Sequence, residues 1–153
     1  MKIRNKIQLP FSQDILWSLI ADPGVMKAWN PRIKEVVPVT LGKPKANAQY
    51  RIRYRLGNME SNYFAEIMEF EEFSRFVLHL EGGTLPRKGF IQEIYDLVPN
   101  SRGTLLSQYI LIERGGLGIS ARLMLRLNNR MGRSSGKKYL LKLLEMAGTP
   151  INQ

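Results

Sequence analysis

The residues able to do chemistry in this chain are few, and their types narrow the options. One of the 153 residues is histidine and none is cysteine, so thiolate nucleophiles, disulfides, zinc–cysteine sites and multi-histidine metal sites are excluded. His79 alternates with Phe76, Leu78 and Leu80, which predicts a place on the outer side of a strand and gives a serine–histidine triad no support. Glu66, Glu69, Glu71 and Glu72 offer paired carboxylates by count, but at a strand end and turn they are expected to form a solvated acidic rim. Gly115-Gly116-x-Gly118 lacks the following Lys-Ser/Thr of a phosphate loop and reads as a hinge-like turn. No catalytic residue, metal site or cofactor is assigned on this basis.

A second group could form a ligand cavity. Trp29, Tyr50, Tyr54, Tyr63, Phe76, Leu78, Tyr95, Leu127 and Met131 are the apolar and aromatic candidates for its lining. The competing account is that they fill a core, although buried tyrosine hydroxyls need partners that a ligand can supply. Polar anchors would come from residues 88–98 and 104–113, where the alternation does not choose a face. Either Gln92 and Gln108 point inward, or Glu93, Ser107 and Tyr109 do. Gln92 and Gln108 join the candidate cavity set. For proton transfer, the groups to test are Glu93, Tyr95, Gln92 and Tyr54.

The third group is basic. The formal charge is +10, and residues 119–148 hold seven basic residues against one acidic, Glu145. Arg122, Arg126, Arg130, Arg133 and Lys137 form a ladder without i+4 glutamates, suited to an anionic membrane or RNA. Arg51, Arg53 and Arg55 add a second row on a sheet exterior. The plainer account of both rows is a solvated face.

These groups need elements to hold them. Residues 2–9 alternate as an edge strand ended by Pro10. Ser12 is placed to cap a helix running to about Ala21, with Phe11 and Leu16 as a hydrophobic staple. Asp22-Pro23 restarts a helix that Asn30-Pro31 ends. Strands are then predicted over 33–39, 50–56, 59–70, 75–81, 88–98 and 104–113. Gly57-Asn58 is a hairpin signal, and 99–103 turns between the last two strands. Residues 117–147 are predicted as a long helix, bent or broken near 132–136, because Leu127 and Met131 lie nearly opposite Leu140, Leu143 and Leu144. The class is α+β, one domain over 1–153, with an antiparallel sheet covered on one face by helix.

This order, with Ile7-x-Leu9-Pro10 before a helix bearing Trp17, then Ala21-Asp22-Pro23 and Trp29-Asn30-Pro31, resembles the START-related superfamily (SRPBCC, Bet v 1-like). Its members include polyketide cyclases/dehydrases, lipid-transfer domains and coenzyme Q-binding proteins. Tyr95-x-Leu97 and Gly103-Thr104 fit the same pattern. The resemblance covers essentially the whole chain. It implies a helix-grip fold, in which a curved seven-stranded antiparallel sheet wraps the C-terminal helix around a cavity for a hydrophobic ligand. It carries over no catalytic residue, and the glycines of the terminal helix depart from the usual regular helix.

Three functions remain open on the sequence. The first is a carrier or binder of a lipid, quinone or polyketide-like molecule. The second is a cyclase- or dehydratase-type enzyme, and the third an interaction module for RNA or an acidic partner. The chain has no apolar run near the ~18 residues of a membrane span, and residues 1–10 do not read as a signal peptide, so a cytoplasmic protein is expected.

Overall fold

The structure, a computed structural model, describes residues 2–113 and 140–148. Its elements follow the order β1 (Lys2–Leu9), α1 (Gln13–Ile20), α2 (Pro23–Trp29), β2 (Ile33–Pro38), β3 (Gln49–Leu56), β4 (Met59–Glu71), β5 (Arg75–Gly82), β6 (Phe90–Asn100) and β7 (Gly103–Glu113). A further helix, α3, covers 140–147 within the described residues. The strands form one antiparallel sheet in the order β1-β7-β6-β5-β4-β3-β2. Hairpin connections build six neighbours in sequence order, and β1 closes onto β7, leaving β1 and β2 as the edges.

Short turns fix the registers. Gly57, in the left-handed region at φ 64°, and Asn58 connect Leu56 to Met59, the tight hairpin the sequence signals. Asn100 pairs with Gly103, so only Ser101 and Arg102 turn between β6 and β7. Gly103 has φ +112°, and a Cβ there would lie 2.2 Å from the Leu9 carbonyl, so glycine is required where β7 meets the end of β1. β6 starts at Phe90 rather than 88 because the preceding residues form a turn closed by Gly89 N–H to the Pro86 carbonyl.

The core lies on one face of the sheet. Tyr50, Ile52 and Tyr54 of β3 are buried while Arg51, Arg53 and Arg55 are exposed, a strict two-residue alternation. The same face carries Tyr63, Ala65 and Ile67 of β4, Phe76, Leu78 and Leu80 of β5, and Ile91, Tyr95 and Leu97 of β6. Helix α1 packs Leu16, Trp17, Leu19 and Ile20 into this layer, and α2 adds Met26 and Trp29. Trp17 meets Phe70, Phe73 and Phe76 edge-on, a geometry that aromatic quadrupoles favour. Leu140 and Leu143 of α3 are buried in the same cluster, with Leu144 packed beside them, the face expected for this part of the terminal helix. The predicted break at 132–136 lies outside the described residues.

The helix ends are held by different means. The Asp22 carboxylate accepts from Gly24 N–H at 2.8 Å, a true cap with proline at the start of α2. Ser12 stands at the cap position of α1 without a side-chain capping bond. Its hydroxyl serves the Asp14 carboxylate instead, which lowers the Asp14 pKa.

Candidate functional site

The inner face is not uniformly apolar. At its centre stands Glu93, with no exposed surface. Its period-two neighbours Ile91, Tyr95 and Leu97 are buried with it, so the strand delivers the carboxylate into the core by alternation alone. Tyr54, from β3, donates to Glu93 Oε1 at 2.5 Å, and Tyr95, two residues along β6, donates to Oε2 at 2.5 Å. Asn30 Nδ2 approaches Oε2 at 3.4 Å. Short O–H contacts of this kind characterise a carboxylate acting as acceptor.

The network continues outward in one direction. Gln108 Nε2 donates to the Tyr95 hydroxyl at 3.0 Å, and Asn5 Nδ2 donates to Gln108 Oε1 at 3.0 Å. Hydrogen bonds thus run from half-buried Asn5 on the edge strand β1 through Gln108 and Tyr95 to Glu93. On the opposite side, half-buried Arg32 hydrogen-bonds Tyr54 and brings a positive charge to it. Burial, then the charge of Glu93, holds the Tyr54 and Tyr95 pKa values well above the usual tyrosine value. Both phenols therefore stay protonated as donors.

The loop after α2 is shaped to reach this point. Asn30 ends the helix, its N–H bonded to the Met26 carbonyl at 2.8 Å, while its Oδ1 accepts from Arg32 N–H at 3.1 Å. That local turn aims the amide at Glu93. Trp29, one residue earlier, lies edge-on to Tyr95 at 6.0 Å between centroids and donates from Nε1 to the Leu19 carbonyl at 2.8 Å. The Trp29-Asn30-Pro31 motif thus supplies both an aromatic wall and a polar contact. Tyr54 meets Tyr63 edge-on at 5.9 Å, and the Tyr63 hydroxyl shares a 2.7 Å bond with Thr84 Oγ1.

Of the candidate cavity residues, Trp29, Tyr50, Tyr54, Tyr63, Phe76, Leu78, Tyr95 and Gln108 are buried on this one face. Gln92 is not with them. It pairs across the sheet with His79 and Leu111 and lies half-buried on the other face. Both alternatives drawn from the sequence mixed faces, because Tyr95 pairs with Gln108 and Glu93 with Ile110. The inner polar set is Glu93 with Gln108, and Tyr109 faces outward under Lys2 and Arg4 at 5.6 and 5.2 Å from its ring centroid. A one-residue slip in assumed pairing exchanges every side chain between faces. Leu127 and Met131 lie outside the described residues, as do Arg122, Arg126, Arg130, Arg133 and Lys137.

The remaining groups fall outside the cluster. His79 takes the outer face as expected, stacked on Phe90 at 5.0 Å and 2.9 Å from a Glu81 oxygen. Glu69 pairs with Arg75, which also holds Asp96. Among the described residues no group of acidic and histidine side chains is placed to hold a metal ion. In the second basic row, Arg53 pairs with Glu35 and Arg55 with Glu60, so that surface is of mixed sign rather than a uniform basic strip. No helix among the described residues is long and apolar enough to cross a membrane.

No protein-family model and no curated protein sequence matches the chain. Solved structures match its fold. The protein TTHA0849 from Thermus thermophilus superposes with TM-score 0.74 at 15% identity, over 96% of this chain and 97% of that one. Ara h 8.0201 gives 0.66 at 12% identity, over 96% and 97%. A START superfamily protein from Mycobacterium smegmatis gives 0.62 at 15% identity, over 92% and 98%. The chain has the START-like, Bet v 1-like helix-grip fold that its sequence motifs imply.

Proposed function

We propose that this protein binds a hydrophobic small molecule, of lipid, quinone or polyketide-like type, between the inner face of its sheet and its C-terminal helix. The observation that carries this reading is the Glu93 cluster: a fully buried carboxylate met by Tyr54, Tyr95 and Asn30, in a face otherwise lined by Trp29, Phe76, Leu78 and Tyr63. Apolar lining with a few convergent polar groups is the composition of small-molecule sites. Burial of the ligand would contribute about 25 cal/mol per Å², and the polar centre would orient it. The fold, shared with a START superfamily protein and Ara h 8.0201, accords with ligand binding.

Native mass spectrometry of protein purified without denaturation tests this reading. A small mass lost on organic extraction, with the fold retained, is the expected result. Protein that is persistently empty, and takes up no fluorescent hydrophobe while folded, contradicts it.

The same carboxylate favours a second reading, in which the bound molecule is also transformed, as in a cyclase or dehydratase. Glu93 would accept a proton from the substrate, and Tyr95 or Tyr54, its O–H turned away from the neutralised Glu93, would donate to the developing oxyanion. Turnover of a bound hydrophobe by the wild-type protein, lost in Glu93→Gln even at saturating ligand, supports this reading; wild-type protein that binds the hydrophobe and returns it unchanged leaves carriage alone.

A further inference from the structure

We infer that the inner site selects ligands whose polar end is a neutral hydrogen-bond donor, an alcohol or phenol, and rejects carboxylates and phosphates. This rests on the binding reading above and names its ligand class.

Tyr54, Tyr95 and Asn30 all direct hydrogen atoms at Glu93. Tyr95 itself accepts from Gln108, and Gln108 from Asn5. The centre of the network is therefore an acceptor. A carboxylate has about four lone-pair sites. Among the described residues three donors reach it, Asn30 at the long distance of 3.4 Å. A ligand hydroxyl can fill the remaining capacity or displace the weak Asn30 contact. A ketone or ether oxygen brings no hydrogen to that acceptor.

Charge sharpens the choice. Glu93 is the charge that acts on both phenols, while Arg32 acts on Tyr54. A ligand carboxylate or phosphate would set a second buried anion against Glu93, the like-charge arrangement that disfavours ionised pairs in a low-dielectric interior. The overall charge of +10 pulls the opposite way, so a preference for neutral ligands cannot arise from the protein's general field.

The test compares 1-pyrenebutanol with 1-pyrenebutyrate, probes of the same carbon skeleton, by fluorescence titration near neutral pH. The alcohol is expected to bind at least about tenfold tighter than the carboxylate, and Glu93→Gln should shrink that ratio toward the one set by the probes' own hydrophobicity. Where Glu93→Gln alone does not fold, the double variant Glu93→Gln/Tyr54→Phe removes one O–H donor that the new amide N–H opposes. Equal or tighter binding of 1-pyrenebutyrate overturns the inference and leaves the binding reading standing. So does a ratio unchanged by loss of the Glu93 charge. Binding of neither probe to folded wild-type protein overturns both.

Discussion

Glu93 converts a fold shared with other proteins into a particular interior, and its replacement measures how much of that interior depends on it. Glu93→Ala leaves the Tyr54 and Tyr95 hydroxyls buried without their acceptor, each costing about 1–3 kcal/mol. A loss of roughly 2–5 kcal/mol in urea unfolding is expected. Removing the donors with the acceptor, in Glu93→Leu/Tyr54→Phe/Tyr95→Phe, should recover part of it, since an apolar replacement of a whole network strands fewer polar groups. The phenols make a separate prediction in alkali. Their folded pKa values lie well above 10.0, whereas in the unfolded chain they revert to about that value. Above pH ~10 the unfolded chain releases protons that the folded one keeps, so stability is intact below that pH and falls as pH rises through it. Tyrosinate absorbance should show Tyr54 and Tyr95 ionising only with unfolding. Early titration of all six tyrosines in folded protein would contradict the burial of the pair.

At the scale of elements, the sequence was most readable where local chemistry decides. Asp22-Pro23, Asn30-Pro31 and Gly57-Asn58 marked true boundaries, because capping, proline geometry and tight turns act within a few residues. Asp22→Ala should accordingly cost about 0.5–2 kcal/mol in thermal or urea unfolding. Gly103→Ala should cost at least about 2 kcal/mol, from a strained φ and a collision with the Leu9 carbonyl. What was not readable was the parity of β6 against β7. Both faces of these strands mix polar and apolar residues, so hydrophobicity did not vote, and only the two-residue turn at Ser101-Arg102 sets Tyr95 beside Gln108. Asn30, Arg32 and Asn5 were missed as site residues for a related reason. Their roles come from contacts across 63 and 103 positions of chain for Asn30 and Asn5, and for Arg32 from a β2-edge position beside Tyr54. Glu93, Tyr54 and Tyr95 were named for proton transfer, and the signal that could have turned Glu93 inward is its place as a lone glutamate in the row Ile91-x-Glu93-x-Tyr95-x-Leu97, which is apolar or aromatic at every other position.

Taken whole, the molecule is a sheet with two unlike faces. The outer one is wet and of mixed charge, with Arg53–Glu35, Arg55–Glu60 and Arg75–Glu69 pairs, and it carries Tyr109 under Lys2 and Arg4. The inner one gathers Tyr50, Tyr54, Tyr63 and Tyr95 with the aromatic and aliphatic core, closed in part by Leu140 and Leu143. This division supplies its own internal control for where a ligand goes. In protein with isotope-labelled tyrosine rings, titration with 1-pyrenebutanol followed by NMR should move the ring signals of Tyr54, Tyr63 and Tyr95 and leave Tyr109 in place. Shifts confined to Tyr109, or none in folded protein, would place the ligand outside the sheet's inner face and contradict the account.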